Sequence, residues 1–378
     1  MRLKFIILKR KKPLKGGKPI ISLYSIVLGV ILFSLILQAT SKNFLDVLRV
    51  ILMSFTSPSI VLDVLALTML GYALLLSFKA ATWNIGAEGQ FFVAMIPLIY
   101  LLIVKYPEFP LPGLMVALAT LLAGIMGASW AMLAGLIKAH TGVNEVPITL
   151  ILNYVAYYIV NYLVYYPFRG RHVYGYTRTD ELPKHYTLNV YLKLSSPTPE
   201  SSPLYPVLRW AYDITYQLTY YVYWLVVAIA TALVVWFILS KTTLGLRLRA
   251  LGHNPDFLLA SGINVKKYYV IALAASGFFV GITSAMYLLS YAKRLSYPIE
   301  AQTAGYGYLA ILVAWLSLLE LKYIPVMAYV VGALRNAGIA LQITGLGGIE
   351  QSLLIIGTVL FSYSILSFLS EYEIKVMK

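Results

Sequence analysis

The chain has 378 residues, of which 60% are hydrophobic and only 12% are charged, and its mean hydropathy is +0.78. A soluble domain usually carries about 25% charged residues, so this composition excludes a water-soluble globular protein and indicates many membrane spans. The absence of cysteine excludes disulfides, Fe–S clusters and thiol catalysis. A net charge of +15 could suggest nucleic acid binding, but the basic residues lie in a tail and in short loops between apolar runs, which membrane topology explains better.

The first 19 residues hold eight Lys or Arg and no acid, and the apolar run 20–40 that follows is long enough to cross a bilayer. A cleaved signal peptide is the competing interpretation. The apolar run is longer than the core of a typical signal peptide, and no clear small-residue cleavage site follows it. We therefore interpret it as an uncleaved first span behind a basic cytoplasmic tail, residues 1–19.

Nine further apolar runs, each close to the length that crosses a bilayer, predict nine more spans. They cover residues 60–78, 88–104, 111–137, 147–166, 221–239, 269–290, 304–319, 323–341 and 351–369. With the N-terminus inside, the inner segments hold 18 Lys and Arg and the short outer loops hold five. The sequence therefore predicts an all-α polytopic protein of the cytoplasmic membrane, with about ten spans over residues 20–369, both termini cytoplasmic, and a short tail at 370–378.

The stretch from Trp83 to Gln90 places two amides, a carboxylate and two glycines inside an apolar region. Unpaired polar groups are expensive in hydrocarbon, and non-helical backbone survives at membrane depth only beside protein or a water-filled cavity. We therefore predict a broken helix near residues 83–90, next to a solute pathway. For Glu88 we favour capping of a half-helix over its alternatives, pairing with a buried cation such as Arg335 or contact with solute.

The fifth predicted span begins with polar residues and carries a polar stripe. Asn144 and Glu145 precede it, and Asn153, Tyr157 and Asn161 recur at a spacing of four along it. One side of this helix is therefore polar, and we expect that side to face the bundle interior or the pore. Hydrogen bonding between helices, without any solute contact, is the alternative explanation.

The loop 167–220 is predicted to lie outside the membrane. It mixes Pro, Ser, Tyr and charged residues, including a Ser- and Pro-rich run at 195–203, which indicates an irregular surface element rather than a span. Two interpretations stay open: the loop meets an external partner, or it is a solvated connection with little local structure.

The inner loop 240–268 contains a complete short helix with its own start and stop signals. An N-cap residue, a proline at the first helical position, an acid near the positive end and a terminating glycine follow one another as Asn254, Pro255, Asp256 and Gly262. Arginine and lysine flank this helix, so it is expected on the cytoplasmic surface. An interfacial helix that merely anchors two spans is the alternative.

Three groups of residues follow one another along the chain in a specific order. They are Asn84-Ile85-Gly86-Ala87-Glu88-Gly89-Gln90, then Gly142-Val143-Asn144-Glu145-Val146 with Leu152-Asn153-Tyr154, then Thr243-Leu244-Gly245, Leu248-Arg249-Ala250, Gly252, Asn254-Pro255 and Ala260-Ser261-Gly262-Ile263. In order and spacing they resemble the permeases of ABC importers in the branched-chain amino acid, ribose and nucleoside superfamily. The first two groups and the long outer loop most resemble the nucleoside-type permease subunit.

This resemblance implies partners and roles. The subunit would pair with a second homologous permease as a heterodimer, dock cytoplasmic ABC ATPase subunits, and receive a small-molecule solute from an extracytoplasmic binding protein, all within membrane lipid. The coupling residues implied are Arg249, Gly252, Asn254, Pro255, Asp256 and Gly262. Because a nucleoside needs aromatic faces for its base and amides or hydroxyls for its ribose, the pathway residues implied are Trp83, Asn84, Glu88, Gln90, Asn153, Tyr154 and Tyr72.

Two other transport functions are alternatives to a nucleoside permease. A sugar or branched-chain amino acid permease is the alternative within the superfamily, and an ion-coupled secondary transporter with an embedded carboxylate is the alternative outside it. The chain holds no glycine-rich ATP-binding loop and no histidines at metal-ligand spacing. We therefore predict no cofactor, no metal and no enzymatic activity of its own.

Overall fold

The computed structural model describes residues 4–10, 17–39, 42–171, 175–191, 204–303, 305–347 and 350–377. These residues are mostly helical. The helices are α1 (Gly17–Ala39), α2 (Phe44–Ser54), α3 (Ile60–Phe78), α4 (Ala87–Val93), α5 (Met95–Ile99), α6 (Pro112–Thr141), α7 (Glu145–Tyr165), α8 (Tyr205–Tyr220), α9 (Val222–Lys241), α10 (Thr243–His253), α11 (Pro255–Ala260), α12 (Val265–Tyr287), α13 (Glu300–Thr303), α14 (Tyr306–Leu316), α15 (Ile324–Ile343) and α16 (Gln351–Glu371). Two strands, β1 (Lys4–Lys9) and β2 (Tyr372–Met377), two π-helical turns (Tyr100–Lys105 and Leu288–Ala292) and two 3-10 turns (Lys184–Tyr186 and Leu321–Tyr323) complete the set.

Nine helical segments in the described part of the chain are long and apolar enough to cross a membrane. This confirms the all-α multi-pass class and nine of the ten predicted spans. The exception is the run 304–319, where α14 has 11 residues and is only about 16 Å long at 1.5 Å per residue. The chain turns away from helix just after it, where Leu318 and Leu319 adopt left-handed backbone angles (φ 58° and 57°).

The chain divides into two compact units, residues 64–314 and the two flanking segments. In the flanking unit α1 packs on α16, and α15 packs on α2 and α16. Asp63, in the first turn of α3, accepts a hydrogen bond from Arg335 of α15 at 2.8 Å, and both side chains are largely buried. Each charge therefore has the partner that a low-dielectric setting demands.

The strands β1 and β2 pair in an antiparallel sheet, with register from Lys4 opposite Met377 to Lys9 opposite Tyr372. Both strands therefore lie on the same side of the membrane, and the number of crossings between them must be even. Nine spanning segments together with a crossing by the segment that contains α14 give such a number. Which side of the membrane holds the sheet stays a prediction from the distribution of Lys and Arg.

In the unit 64–314, α6 and α12 touch along their backbones. A Cβ added to Gly127 would lie 2.3 Å from the carbonyl oxygen of Gly277, and one added to Gly281 would lie 2.2 Å from that of Ala123. Small residues permit such close approach between membrane helices, where packing and not solvent exclusion drives association. We call the backbone contacts among Ala123, Gly127, Gly277 and Gly281 the glycine seam.

Some of the described residues of the loop 167–220 lie against the ends of other segments in the unit 64–314. The buried Tyr186 donates from its hydroxyl to the carbonyl of Tyr106 at 2.6 Å. Burial, the largest single influence, lowers the pKa of Lys293, but the hydrogen bond to Tyr220 at 3.3 Å and the further interactions with Tyr220 and Tyr191 together outweigh it, so the pKa of Lys293 is raised. The run 195–203 lies outside the described residues. Three backbone N–H groups join the loop to the segment after α12, in the pairs Thr179–Leu295, Leu182–Lys293 and Leu188–Leu289.

Candidate functional site

The helix break predicted near residues 83–90 is present. The helix α3 ends at Phe78, and the next helix, α4, begins only at Ala87. Between them the chain makes a tight turn in which Ala81 has a left-handed backbone (φ 49°), and the N–H groups of Ala80 and Thr82 both bond to the carbonyl of Ser77 at 3.0 Å. Ala80, Thr82, Asn84 and Gly86 are buried while Ala81 is exposed, so protein covers part of this non-helical backbone.

The two amides of the break bond to each other. Asn84 donates to Gln90 at 3.0 Å and accepts from it at 2.7 Å, and the Asn84 amide also donates to the hydroxyl of Ser276 on α12 at 2.9 Å. All three side chains are buried. Buried amides are tolerated when they find such partners, and these bonds fix the non-helical segment to α4 on one side and α12 on the other.

Glu88 is buried in the first turn of α4, and its carboxylate accepts a hydrogen bond from the backbone N–H of Gly307, near the start of α14. A carboxylate at a helix N-terminus is favoured by the unsatisfied N–H groups and by the helix dipole. Capping was the favoured interpretation of Glu88, but the helix end concerned belongs to α14, since the N-cap of α4 is Gly86. Arg335, the alternative partner named above, pairs with Asp63.

Asn153 on α7 connects the break to two other elements. Its carbonyl oxygen accepts from the N–H of Gly89 at 2.8 Å, and its NH₂ donates to the carbonyl of Ile85 at 3.0 Å and to the hydroxyl of Tyr308 at 3.2 Å. A Cβ on Gly89 would lie 2.8 Å from the Cα of Asn153, so this contact needs glycine. We call Asn84, Glu88, Gln90 and Asn153 with these partners the buried polar network.

Glu145 joins three segments at the predicted cytoplasmic end of the same unit. It is buried at the start of α7, accepts from the backbone N–H of Trp83 at 2.7 Å, and forms an ion pair with Lys138 near the end of α6. The sequence places Glu145 at the start of a span but assigns it no site. A carboxylate seven residues after a lysine, between two apolar runs, is the signal that could have found this pair.

The polar stripe on α7 is buried, as expected for a side that faces the bundle interior. At its outer end, Asn161 donates to both carboxylate oxygens of Glu300 at 3.0 Å and accepts from the N–H of Ile299 at 2.9 Å. Glu145, Thr149, Asn153, Tyr157 and Asn161 all lie on this side. These contacts are hydrogen bonds between helices and loops of the protein, the alternative that the sequence left open.

The residues predicted for the pathway do not form one cavity wall. The structure brings Asn84, Glu88, Gln90 and Asn153 together in the buried polar network. Tyr72 is buried on α3, and Trp83 is half-buried with its ring 5.0 Å from that of Phe78. Tyr154, in contrast, is exposed on a different side of α7 from Asn153.

The short helix in the inner loop has the predicted caps. The side-chain oxygen of Asn254 accepts from the N–H groups of Asp256 and Phe257 at 3.0 and 3.1 Å, and Pro255 is the first helical residue. The helix α11 ends at Ala260, and Gly262 follows with φ +73°. Because every start and stop signal lies within ten residues, this helix could be read from sequence alone.

This loop has an inner and an outer face. Leu248, Leu251 and Leu258 point inward and pack with Ala80, Tyr268 and neighbours. A Cβ on Gly252 would lie 2.3 Å from the carbonyl oxygen of Lys79, so α10 rests directly on the turn that precedes the break.

On the outer face Phe257 and Leu259 are 63% and 57% exposed. The predicted coupling residue Arg249 is partly exposed.

Comparison with known proteins gives a family and several relatives. The family described as "Branched-chain amino acid transport system / permease component" matches residues 58–363. The guanosine ABC transporter permease protein NupP of Bacillus subtilis is 28% identical over 217 residues, 57% of this chain and 55% of NupP. The nucleoside ABC transporter permease protein NupB of Lactococcus lactis is 25% identical over 287 residues, 74% of this chain and 73% of NupB.

A third relative transports a different solute. The glucose ABC transporter permease protein TsgB13 of Haloferax volcanii is 27% identical over 251 residues, 66% of this chain and 60% of TsgB13. The chain spans little more than half the length of NupP and about three quarters of NupB. No solved structure matches the chain significantly.

Proposed function

This chain belongs to the permease component family of branched-chain amino acid transport systems, and from that premise we propose that it is the permease subunit of an ATP-driven importer that carries nucleosides across the cytoplasmic membrane. Permease subunits translocate solute and leave ATP hydrolysis to a separate protein. The partners proposed are an ABC ATPase, a second homologous permease in a heterodimer, and an extracytoplasmic solute-binding protein.

The nucleoside assignment is supported by the relatives and by the site chemistry. NupP and NupB are named for guanosine and for nucleosides. A neutral nucleoside requires aromatic surfaces and hydrogen-bonding groups and no countercharge, which agrees with a site whose carboxylate Glu88 is already engaged by the backbone of Gly307. The name of TsgB13 keeps sugar as the second candidate solute.

The ATPase docking element that we propose is the loop from α10 to α11. Its outward side chains Phe257 and Leu259 are apolar and exposed at the predicted cytoplasmic surface, and the cationic Arg249 on α10 is partly exposed. Large aromatic and Arg side chains contribute most of the binding energy at protein interfaces. The caps at Asn254 and Gly262 hold the helix in shape for such a contact.

A movement of α11 on docking can reach the buried polar network through a short series of contacts. Leu258 of α11 and Leu251 of α10 pack in one cluster with Ala80, and Gly252 abuts Lys79. Three residues after Ala80, the N–H of Trp83 is held by Glu145 of α7. A displacement of the loop therefore acts on the break and on α7 together, and in this way Asn84, Glu88, Gln90 and Asn153 shape the pathway without lining it.

The experiment that tests this function is uptake into liposomes that contain this chain with its partner permease and ATPase, supplied with the binding protein. We expect guanosine uptake that requires ATP on the side of the membrane that carries the ATPase. The rate of guanosine uptake should exceed that of glucose. Uptake that continues on an ion gradient without ATP would contradict an ABC importer. Uptake of glucose and not of guanosine would agree with an ABC importer but would show that its solute is a sugar.

A further inference from the structure

The helix α7 carries a row of exposed tyrosines opposite its buried polar stripe. Tyr154, Tyr158 and Tyr162 recur every four residues and are 55%, 74% and 61% exposed. Residues at this spacing share one side of a helix. We call these three side chains the tyrosine face.

The depth of these residues is unusual for tyrosine. The helix α7 has 21 residues and is about 30 Å long at 1.5 Å per residue, the thickness of the hydrocarbon core. Tyr154 and Tyr158 lie in its middle third. Tyrosines that meet lipid concentrate at the membrane surfaces, where the hydroxyl reaches water, and a hydroxyl exposed to hydrocarbon has no partner.

Other spans of the same unit show what a lipid-facing side looks like in this chain. The large exposed side chains along the middle of α6 and α9 are aliphatic: Leu118, Leu121, Leu122 and Ile125 on α6, and Val226, Ile229, Leu233 and Val234 on α9. The small Ser129 is also exposed on α6, and the exposed aromatic residues Trp236 and Phe237 lie in the last third of α9. Tyr223, which is exposed on α9, lies at the end of that helix. The tyrosine face therefore differs in chemistry from the sides that suit lipid.

We propose that the tyrosine face is one wall of the solute pathway, that it borders water between this chain and a second permease, and that it binds solutes with a planar aromatic base by stacking. The inference rests on the proposed function and names its contact surface. Three phenol rings in a row offer successive stacking positions, and their hydroxyls can donate to or accept from ribose.

The tyrosine face is tied to the buried polar network through α7 itself. Asn153 precedes Tyr154, and the ring of Tyr154 lies 6.1 Å from that of Tyr157, which belongs to the buried stripe. Because Asn153 and Glu145 fix α7 to the helix break, any shift of the break turns the tyrosines with it. The same helix thus senses the coupling loop on one side and meets solute on the other.

Cysteine labelling tests where the tyrosine face lies, because the chain has no cysteine of its own. We would place single cysteines by Tyr158→Cys and Val155→Cys in the complete importer with cysteine-free partner subunits, and add a charged, water-soluble thiol reagent. Val155 is exposed beside the tyrosines and its replacement keeps all three of them. The matched control is Ile229→Cys on the aliphatic side of α9.

We expect both α7 cysteines to react, guanosine to slow the reaction at Val155→Cys, and Ile229→Cys to stay unmodified. No reaction at either α7 position, in an importer that takes up guanosine, would overturn this inference and leave the proposed function intact. If the importer takes up glucose and only glucose protects the cysteines, the solute is not a nucleoside. The proposal that the tyrosines stack on a base is then also wrong.

Kinetics of uptake test the stacking itself. Because stacking of one base on an aromatic side chain accounts for roughly tenfold in affinity, Tyr158→Leu should raise the KM for guanosine by about that factor. Tyr158→Phe keeps the ring, so its KM should stay within about threefold. Tyr223→Leu on α9 is the control and should not change KM. An unchanged KM in both Tyr158→Leu and Tyr162→Leu would overturn the proposal.

Discussion

The segment 79–90, which comprises the helix break and the first turn of α4, and the inner loop at 243–262 both carry motifs that resemble the same permease superfamily, yet they use their side chains in opposite ways. In the segment 79–90, the amides of Asn84 and Gln90 and the carboxylate of Glu88 are buried and bonded within the unit 64–314. In the loop, Asn254 bonds its own backbone while Phe257 and Leu259 stand exposed.

This contrast shows that a sequence motif can serve either the internal geometry of the chain or its contact with another protein. A polar group buried in a membrane protein must find partners, so a motif of buried amides and glycines specifies internal geometry. An exposed apolar group contributes nothing to such geometry and is available to another protein. Substitutions in the break should therefore act mainly on the stability of the chain, and those on the outer face of the loop mainly on its coupling to partners.

Among the substitutions around the helix break, the largest loss of stability is expected from Gly307→Ala. The added Cβ would meet the backbone N of Glu88 at 2.3 Å, and backbone cannot move aside cheaply. Overpacking of this kind costs typically 1–3 kcal/mol, and we expect about 3 kcal/mol here, measured from unfolding of the purified chain in detergent. Gly357→Ala on α16 is the control, because nothing lies within 4 Å of its Cβ. Equal stabilities of the two variants would show that the break does not need this close contact.

A smaller loss is expected from Asn153→Ala, which leaves the N–H of Gly89 and the carbonyl of Ile85 without their side-chain partner. Leaving buried polar groups unsatisfied should lower the free energy of unfolding by about 2 kcal/mol. The control is Asn336→Ala, which loses one 3.3 Å bond from Ser59 at an exposed position. A loss no larger than that of the control would mean that water replaces the amide of Asn153.

Removal of the N-cap of α11 tests whether a residue of the inner loop acts through helix stability or through contact with a partner. Asn254→Ala should cost about 1 kcal/mol of local helix stability, because the N–H groups of Asp256 and Phe257 lose their acceptor. We expect ATP hydrolysis that no longer responds to loaded binding protein. Asn254→Ser should restore the response, since serine also caps helices. Failure of serine to rescue would point to a direct contact of Asn254 with a partner.

The smallest change in stability is expected from Phe257→Ala, within about 0.5 kcal/mol, because the ring is exposed. Its neighbour Leu258 is buried, and Leu258→Ala should cost about 2–5 kcal/mol. If Phe257 is a main anchor of the ATPase, its loss of about 2 kcal/mol of binding weakens docking about 30-fold, measurable by titration of the purified ATPase. Unchanged docking would place the ATPase contact elsewhere on the loop.

Sequence reasoning succeeded where the determining interactions are local. The caps of α11 lie within ten residues, and the break between α3 and α4 follows from polar residues inside one apolar region. The partners of the buried groups could not be derived in this way. The bond from Gly307 to Glu88 joins residues far apart in sequence, and nothing near Glu88 indicates which helix end it caps.

Two other features needed three-dimensional information for different reasons. The run 304–319 is apolar enough for a span, but α14 stops early because Leu318 and Leu319 adopt left-handed backbone, a conformation that leucine does not signal in sequence. On α7, the Asn153 row and the Tyr154 row share the same spacing of four. The period alone cannot tell which row is buried and which is exposed.

The glycine seam between α6 and α12 has a mechanical consequence. Two rods joined along their length resist bending more than the same rods lying loose, and here the backbones themselves are in contact at Gly127, Gly277 and Gly281. The helix α12 begins five residues after α11 ends, and α6 carries Lys138 near the Glu145 junction. The pair should therefore be stiff, and a displacement applied at the loop 240–268 would tilt the two helices together instead of being absorbed by bending along the span.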